Sequence, residues 1–255
     1  QSAQSTVASE LKDSMRRCES CHATEKTHTW LPYKDRHMEA VSCESCHIPE
    51  LYSTTFKQYD WTVVKLDGQA QTECRGIEGV TGSTSSLITG YEPVLLPRQT
   101  IEGDVKLLPH NLVSSWYWVY GDPARPVIQA DLTAVYLDGD NYAADVIDAF
   151  DSNSDGALDE GEMLIDSIEK ENFIAGKLSA LGLENPRISA EVQPYSINHD
   201  VTNGEWAIRE CQECHGEQSR VTQPIQLASY VPGGVLPEFV EDANVRRQAG
   251  MPGLH

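Results

Sequence analysis

Three short stretches of this 255-residue sequence share one pattern: Cys18-Glu-Ser-Cys21-His22, Cys43-Glu-Ser-Cys46-His47 and Cys211-Gln-Glu-Cys214-His215. Each reads Cys-x-x-Cys-His, the pattern at which c-type haem is attached to a protein. The two thiols bond the vinyl groups of the porphyrin, and the histidine that follows becomes the proximal ligand of the iron. The sequence therefore predicts three covalently attached haem c groups. The predicted thioether cysteines are Cys18, Cys21, Cys43, Cys46, Cys211 and Cys214, and the predicted proximal ligands are His22, His47 and His215.

Two other chemistries use Cys-x-x-Cys pairs. A tetrahedral zinc site needs two pairs, so the first two pairs would form one site and the third would be left over. A thioredoxin-like dithiol lies between a strand and a helix of a βαβ unit, and no such pattern surrounds these cysteines. Haem attachment is therefore favoured. Because c-type haem is attached outside the cytoplasm, we expect a periplasmic or extracellular protein of a bacterium or archaeon whose signal peptide has been removed.

Each iron needs a second axial ligand or an open face, and this choice separates an electron carrier from a catalyst. The candidate distal ligands are His28, His37, His110 and His199. Three of them lie close to a motif in the sequence, whereas His110 comes from the middle of the chain. His255 is a weaker candidate because it is the terminal residue. Imidazole is favoured over the thioethers of the four methionines, which predicts bis-histidine haems.

A second motif lies at Asp151-Ser-Asn153-Ser-Asp155-Gly156-Ala157-Leu158-Asp159-Glu160-Gly161-Glu162. It fills the twelve positions of the EF-hand calcium loop, with glycine at position six and glutamate at position twelve. The predicted Ca²⁺ ligands are Asp151, Asn153, Asp155, the Ala157 carbonyl, Asp159 and Glu162. Apolar residues on both flanks predict an entering helix and an exiting helix, the latter with Met163, Leu164 and Ile168 on its apolar face. No partner hand is evident, so a structural role is favoured over a switch, and an acidic turn without metal is the alternative.

The charge of the chain restricts its partners. Lys and Arg number 19 against 39 Asp and Glu, which gives a formal net charge of −20. Electrostatic repulsion disfavours nucleic acid and anionic membrane surfaces, and no run of about 18 apolar residues predicts a membrane span. We expect redox partner proteins with a basic docking face instead.

The motifs and composition suggest a mainly α fold with much irregular structure, a few short strands and an inserted EF-hand. Four segments are predicted: a dihaem module at 1–66, a strand- and turn-rich connecting segment at 67–140, the EF-hand helix-loop-helix at 141–183, and a monohaem module with a Pro/Gly-rich tail at 184–255. A helix is expected near 6–17. Cys74 is left without a motif, and it is expected to be a buried free thiol, a partner in an intermolecular disulfide or a reactive ligand.

The amino-acid sequence around the motifs resembles that of one protein family. The stretch His37-Met-Glu-Ala-Val-Ser-Cys43-Glu-Ser-Cys46-His47-Ile-Pro-Glu, followed by Tyr59-Asp60-Trp61, resembles a haem module of the octahaem tetrathionate reductase-like multihaem cytochromes. The stretch from His199 to His215 resembles a later module, and Trp116 to Asp122 is similar to a connecting segment. The resemblance implies that the histidines ahead of such motifs are distal ligands. That family has eight haems and an active-site Cys-x-x-Cys-Lys motif, which this sequence lacks.

Three functions remain open from the sequence. The leading interpretation is a trihaem c-type cytochrome, stabilised by calcium, that carries electrons between partners outside the cytoplasm. The first alternative is a subunit of a filament or larger electron-transfer complex, such as a homo-oligomer, in which a histidine of one chain ligates a haem of another. An oxidoreductase with one open haem that reduces a small sulfur or nitrogen oxyanion is the second. An electron-transfer protein is favoured over a catalyst, and no catalytic residue is assigned.

Overall fold

The computed structural model describes residues 18–79, 83–99 and 104–240. The α-helices are α1 (Thr24–Thr27), α2 (Lys34–Ala40), α3 (Cys43–His47), α4 (Gln129–Tyr136), α5 (Ala144–Phe150), α6 (Ile168–Ala180) and α7 (Gln212–His215). The strands are β1 (Thr55–Trp61), β2 (Gln71–Glu78), β3 (Leu87–Gly90), β4 (Val94–Gln99), β5 (Val105–Tyr120), β6 (Arg125–Pro126), β7 (Leu137–Asp138), β8 (Asn141–Tyr142), β9 (Arg187–Ser196) and β10 (Glu238–Phe239). The helix expected near 6–17 lies outside the described residues.

The expectation of a mainly α fold is wrong. The structure has 25% helix and 28% strand, with a large mixed sheet of eight strands. The strand order is β10-β9-β5-β1-β2-β3, and β4 and β6 also pair with β5. The helices around the haem motifs are short, with four to seven residues each. Long-range strand pairing, which leaves no short-range signal in the sequence, supplies the regular structure instead.

The chain divides into two compact units. The first unit contains Gln1–Thr55, Arg75–Leu112 and Pro194–Ile225, and the second contains Phe56–Cys74, Val113–Gln193 and Gln226–His255. All three Cys-x-x-Cys-His motifs belong to the first unit, and the predicted calcium loop belongs to the second.

The second unit has a conventional hydrophobic core. Here β1 pairs in parallel with the second half of β5, with Asp60 opposite Trp116. Aromatic side chains from the sheet and from α4 and α5 form the centre of this core, where Trp116, Trp118 and Tyr136 are fully buried. Indole and phenol groups need hydrogen-bond partners when buried, and both the Trp118 indole and the Tyr136 hydroxyl donate to the Thr62 carbonyl, at 2.9 and 2.7 Å.

The first unit has a much smaller apolar core. Its cluster of buried residues in the described chain consists of Ile48, Leu51 and Ile197, with Tyr91 packed against it. The antiparallel pair of β4 and β5 extends from Val94 opposite His110 to Gln99 opposite Val105 and gives this unit its local sheet. A unit that carries three attachment motifs on so little apolar core is expected to gain most of its buried surface from the porphyrins.

Candidate haem sites

Each attachment motif forms one helical turn. In the first and third motifs the histidine N–H donates to the carbonyl of the first cysteine, at 2.9 Å for both His22 to Cys18 and His215 to Cys211. The second motif is the helix α3. One turn places both thiols and the histidine on neighbouring positions, which is the arrangement that two thioether bonds and one axial bond to a single porphyrin require.

The imidazole of His28 faces that of His47, the proximal histidine of the second motif. Their ring centroids are 6.1 Å apart, and their planes are inclined by 77°. A metal–nitrogen bond of about 2 Å on each side of an iron, with about 1 Å from each nitrogen to its ring centre, separates two axial imidazoles by about 6 Å. The spacing therefore fits one iron between the two rings.

A second pair of imidazoles has the same geometry. His37 faces His215 of the third motif, with 6.0 Å between ring centroids and 88° between planes. Both distal candidates thus come from the segment between the first two motifs, and each faces the histidine of a motif that follows it in the chain. His37 lies close before the second motif in the sequence, yet it faces the third.

Hydrogen bonds at Nδ1 orient several of these imidazole rings. Nδ1 of His47 lies 3.0 Å from the Thr202 carbonyl oxygen, and Nδ1 of His37 lies 3.2 Å from that of Tyr33. Nδ1 of His28 lies 2.9 Å from the Thr27 hydroxyl. A ring whose Nδ1–H donates to such a partner presents a neutral Nε2 to a metal, so these contacts select the tautomer that an axial ligand needs.

The other candidate histidines are placed differently. The imidazole of His22 makes no ring contact with another imidazole in the part of the chain that the structure describes. His110 is buried on β5, where its Nδ1 lies 2.8 Å from the Leu108 carbonyl oxygen. His199 is exposed, and its Nδ1 lies 3.0 Å from the Asp200 carboxylate. The structure therefore brings His28 and His37 to a motif histidine, and does not do so for His110 or His199 among the described residues.

The second motif lies next to both of the others. The Cys43 thiol interacts with the Cys18 thiol, and burial followed by this neighbouring thiol raises the pKa of Cys43 to about 12. On its other side, the Cys46 thiol interacts with that of Cys214. A backbone hydrogen bond also links the second motif to the segment before the third, because the Ile208 N–H donates to the Cys46 carbonyl at 2.9 Å.

Sequence reasoning missed the residue that joins the second and third motifs. Arg220 has a side chain only 1% exposed, and its guanidinium donates to the Ser45 carbonyl inside the second motif at 3.0 Å. Arg220 lies six residues after Cys214, and an arginine at this spacing belongs to no known haem-attachment pattern. The Thr202 and Tyr33 carbonyls that orient the imidazoles were missed as well, because every residue has a main-chain carbonyl and the sequence does not show which of them accepts a hydrogen bond.

An acidic cavity of about 580 Å³ lies beside the second and third motifs. Glutamates dominate its lining, together with Arg209 and the exposed Trp206. The glutamates are Glu50, Glu92, Glu205, Glu210 and Glu213. This side of the first unit therefore presents concentrated negative charge close to two attachment motifs.

The predicted calcium loop has the expected backbone form. Gly156 at position six has φ +82°, and its N–H donates to Asp151 at 2.8 Å. Glu162 at position twelve accepts bonds from the N–H groups of Ser152, Asn153 and Asp159. Burial opposes its ionisation, but these hydrogen bonds outweigh that effect and lower the pKa of Glu162.

Two details of this region differ from a standard EF-hand. The entering helix α5 ends at Phe150 as expected, but residues 163–167 are not helical and α6 begins at Ile168, where Ser167 caps it. Met163 is buried, whereas Ile168 is 60% exposed and does not lie on an apolar face. Within the described ranges, no three or more His, Cys, Asp or Glu side chains gather as a metal site. Calcium binding therefore stays a prediction.

Comparison with known proteins agrees with the attachment motifs. The family described as cytochrome c554 and c-prime matches residues 1–48, a stretch that contains the first two motifs and both facing distal candidates. The match supports the class of multihaem c-type cytochromes. This agrees with the predicted class, whereas a role in electron transfer, the number of haems and the closer family stay predictions. Cytochromes of this class are typically periplasmic or extracellular.

One solved structure resembles this multihaem cytochrome in part. The crystal structure of octaheme cytochrome c from Shewanella oneidensis matches with a TM-score of 0.43 and 14% identity, over 80% of this chain and 49% of that one. The cytochrome described here thus spans about half the length of that protein. No curated protein matches the sequence. Among the described residues, no helix is both long and apolar enough to cross a membrane.

Proposed function

We propose that this cytochrome is a trihaem electron carrier that works in the periplasm or outside the cell, with haem c at each motif. The observation that supports the proposal most strongly is the pair of facing imidazoles, His28 with His47 and His37 with His215, at 6.1 and 6.0 Å between ring centroids. Two such pairs would hold two haem irons, one between each pair of rings. Haem supplies the redox chemistry, and the chain supplies ligands, spacing and electrostatics.

The adjacency of the motifs supports a linear order of haems. The first cysteine of the second motif lies beside the first motif, and its last cysteine lies beside the third. A haem held by His47 would then lie between those held by His22 and His215. The glutamates around the cavity next to the second and third motifs support a basic docking face on the redox partner.

Substitution of His37 tests the axial assignment. We expect His37→Ala to leave three attached haems but to convert one of them from low spin to high spin, because the iron of His215 loses its distal nitrogen. Added imidazole should restore the low-spin spectrum. Electron paramagnetic resonance and magnetic circular dichroism measure the spin states, with a haem count per chain from the pyridine haemochrome.

Glu39→Gln is the matched control, because Glu39 lies on the same short helix and is exposed. It should leave all three haems unchanged. Near-perpendicular imidazole planes also predict strongly anisotropic ferric low-spin signals for two haems in the native protein. Three unaltered low-spin haems in the His37→Ala protein would contradict the assignment.

One observation favours a second candidate function. Because the His22 imidazole faces no other imidazole in the described chain, the first haem lacks a distal histidine there. The face is then filled by a residue outside the described ranges, such as His255, is filled by a ligand from a second copy, as in a filament, or stays open for a small sulfur or nitrogen oxyanion. A monomer in which cyanide or nitrite binds one haem at once supports an open face, and a low-spin first haem that becomes high spin only on dilution supports cross-chain ligation.

A further inference from the structure

A buried arginine joins the second and third attachment motifs. The Arg220 side chain is 1% exposed. Its guanidinium donates to the carbonyls of Ser45 and Pro93, both at 3.0 Å, and more weakly to that of Ile48 at 3.4 Å. Ser45 is inside the second motif, and Ile48 directly follows its proximal histidine. The guanidinium thus binds backbone carbonyls on both sides of His47 in the sequence.

The backbone of the same residue is fixed to the third motif. The Arg220 N–H donates to the Glu213 carbonyl at 3.1 Å, and Glu213 is one of the two residues between the motif cysteines. The positive charge interacts with both Cys46 and Cys214, which are the second thioether cysteines of their motifs. One cation therefore lies beside two predicted porphyrins and inside the protein.

The charge of Arg220 is only partly compensated. Glu92 is its ion-pair partner, with Oε1 3.4 Å from Nε, and that carboxylate side chain is 41% exposed. The Arg220 Nε itself has no hydrogen-bond partner of good geometry. The three carbonyl acceptors stabilise the cation without neutralising it, so its field reaches its surroundings with little screening.

We propose that Arg220 sets the reduction potentials of the second and third haems. The inference depends on the proposed haem sites. Reduction lowers the positive charge of a haem iron by one, so a nearby buried cation favours the reduced form and raises the potential. A charge excluded from water acts through a low effective dielectric constant, and dissolved salt screens it weakly. Arg220 touches no reacting atom in this account and acts through the field that it holds at the two haems.

The test compares the three midpoint potentials of the holoprotein in matched variants by spectroelectrochemistry. We expect Arg220→Gln to lower two of the three potentials, with the equilibrium constant for reduction falling about tenfold for each, equivalent to about 59 mV for a one-electron couple. Arg220→Lys keeps the charge and should restore most of the shift. The matched control is Arg209→Gln, since Arg209 is an exposed cation beside the same motif. It should shift every potential less, and its effect should vanish in high salt.

A second variant keeps the proposal testable if Arg220→Gln does not fold. Glu92→Gln removes the partly exposed counter-charge, so it should raise the same two potentials. Unchanged potentials in folded variants that contain three haems would overturn the inference and leave Arg220 as a structural clamp. A native protein with fewer than three haems would overturn the proposed function instead, and the pyridine haemochrome distinguishes this result before any potential is measured.

Discussion

Single carbonyl oxygens decide how the axial imidazoles are presented. The Thr202 and Tyr33 carbonyls lie at Nδ1 of His47 and His37, so that Nε2 is left for a metal. His199 has an equivalent contact to the Asp200 carboxylate but faces solvent. The tautomer alone therefore does not select a haem ligand. A second imidazole about 6 Å away on the other side of the iron is also needed.

Asp60 is a buried carboxyl in the core of the second unit. It is fully buried, and its oxygens accept bonds from Thr62 N–H at 2.8 Å, the Thr62 hydroxyl and the Tyr230 hydroxyl at 2.8 Å. Burial outweighs these bonds and raises the pKa of Asp60 to about 6. Because the folded state then holds a proton that the unfolded state releases at lower pH, ionisation of Asp60 destabilises the fold as pH rises.

We predict that Asp60→Asn removes this dependence. As pH rises from about 4 to about 6, the wild-type protein should lose about 2 kcal/mol of unfolding free energy relative to the variant. Urea unfolding at several pH values measures this difference. Asp148→Asn, at an exposed position of α5, is the control and should track the wild type at every pH. A constant difference between wild type and Asp60→Asn would show that Asp60 does not titrate in this range.

At the scale of elements, the helices of this cytochrome have two different roles. Near the motifs they are short, and α3 and α7 contain motif residues. By contrast, α6, with 13 residues and a Ser167 cap, packs Ile174 and Leu178 into the core of the second unit. The calcium loop connects this packing to α5, which contributes Val146 and Phe150. A cation in the loop is therefore expected to stabilise two elements of one core.

We predict that removal of calcium lowers the melting temperature of the protein. Glu162→Gln should weaken Ca²⁺ binding and abolish most of the calcium-dependent stabilisation, because position twelve supplies two ligand oxygens. Thermal melts with excess Ca²⁺ and with a chelator measure the effect, and isothermal titration measures binding. Asp148→Asn lies three residues before the loop and should keep the full response. Identical wild-type melts in Ca²⁺ and in chelator would leave the loop as an acidic turn.

At the scale of the molecule, the two units obtain their stability from different sources. The core of the second unit consists of packed side chains that include Trp116, Trp118, Tyr136 and Phe150. The first unit has Ile48, Leu51 and Ile197 as its buried cluster within the described residues, and it contains all three attachment motifs. We therefore expect covalent haem to supply the buried apolar surface that stabilises the first unit, as aromatic packing does in the second.

We predict that a haem-free chain, with the six motif cysteines changed to serine, loses order in one unit first. Hydrogen exchange with mass spectrometry should show protected amides in 113–193 and rapid exchange in 18–55 and 194–225. The fully loaded protein is the control and should protect both sets of segments. Equal protection of the two units without haem would show that the first unit folds on its polypeptide contacts alone.

The sequence by itself determined the attachment chemistry, the negative charge and the form of the Asp151–Glu162 loop. These properties depend on residues that are contiguous in the chain, so their spacing is visible without a fold. Only the tertiary structure decided that strands form a large mixed sheet, that His28 faces His47 and His37 faces His215, and that Arg220 joins two motifs. These pairings bring together segments distant in sequence, and the free energy that selects them comes from burial and hydrogen bonding, which have no local pattern.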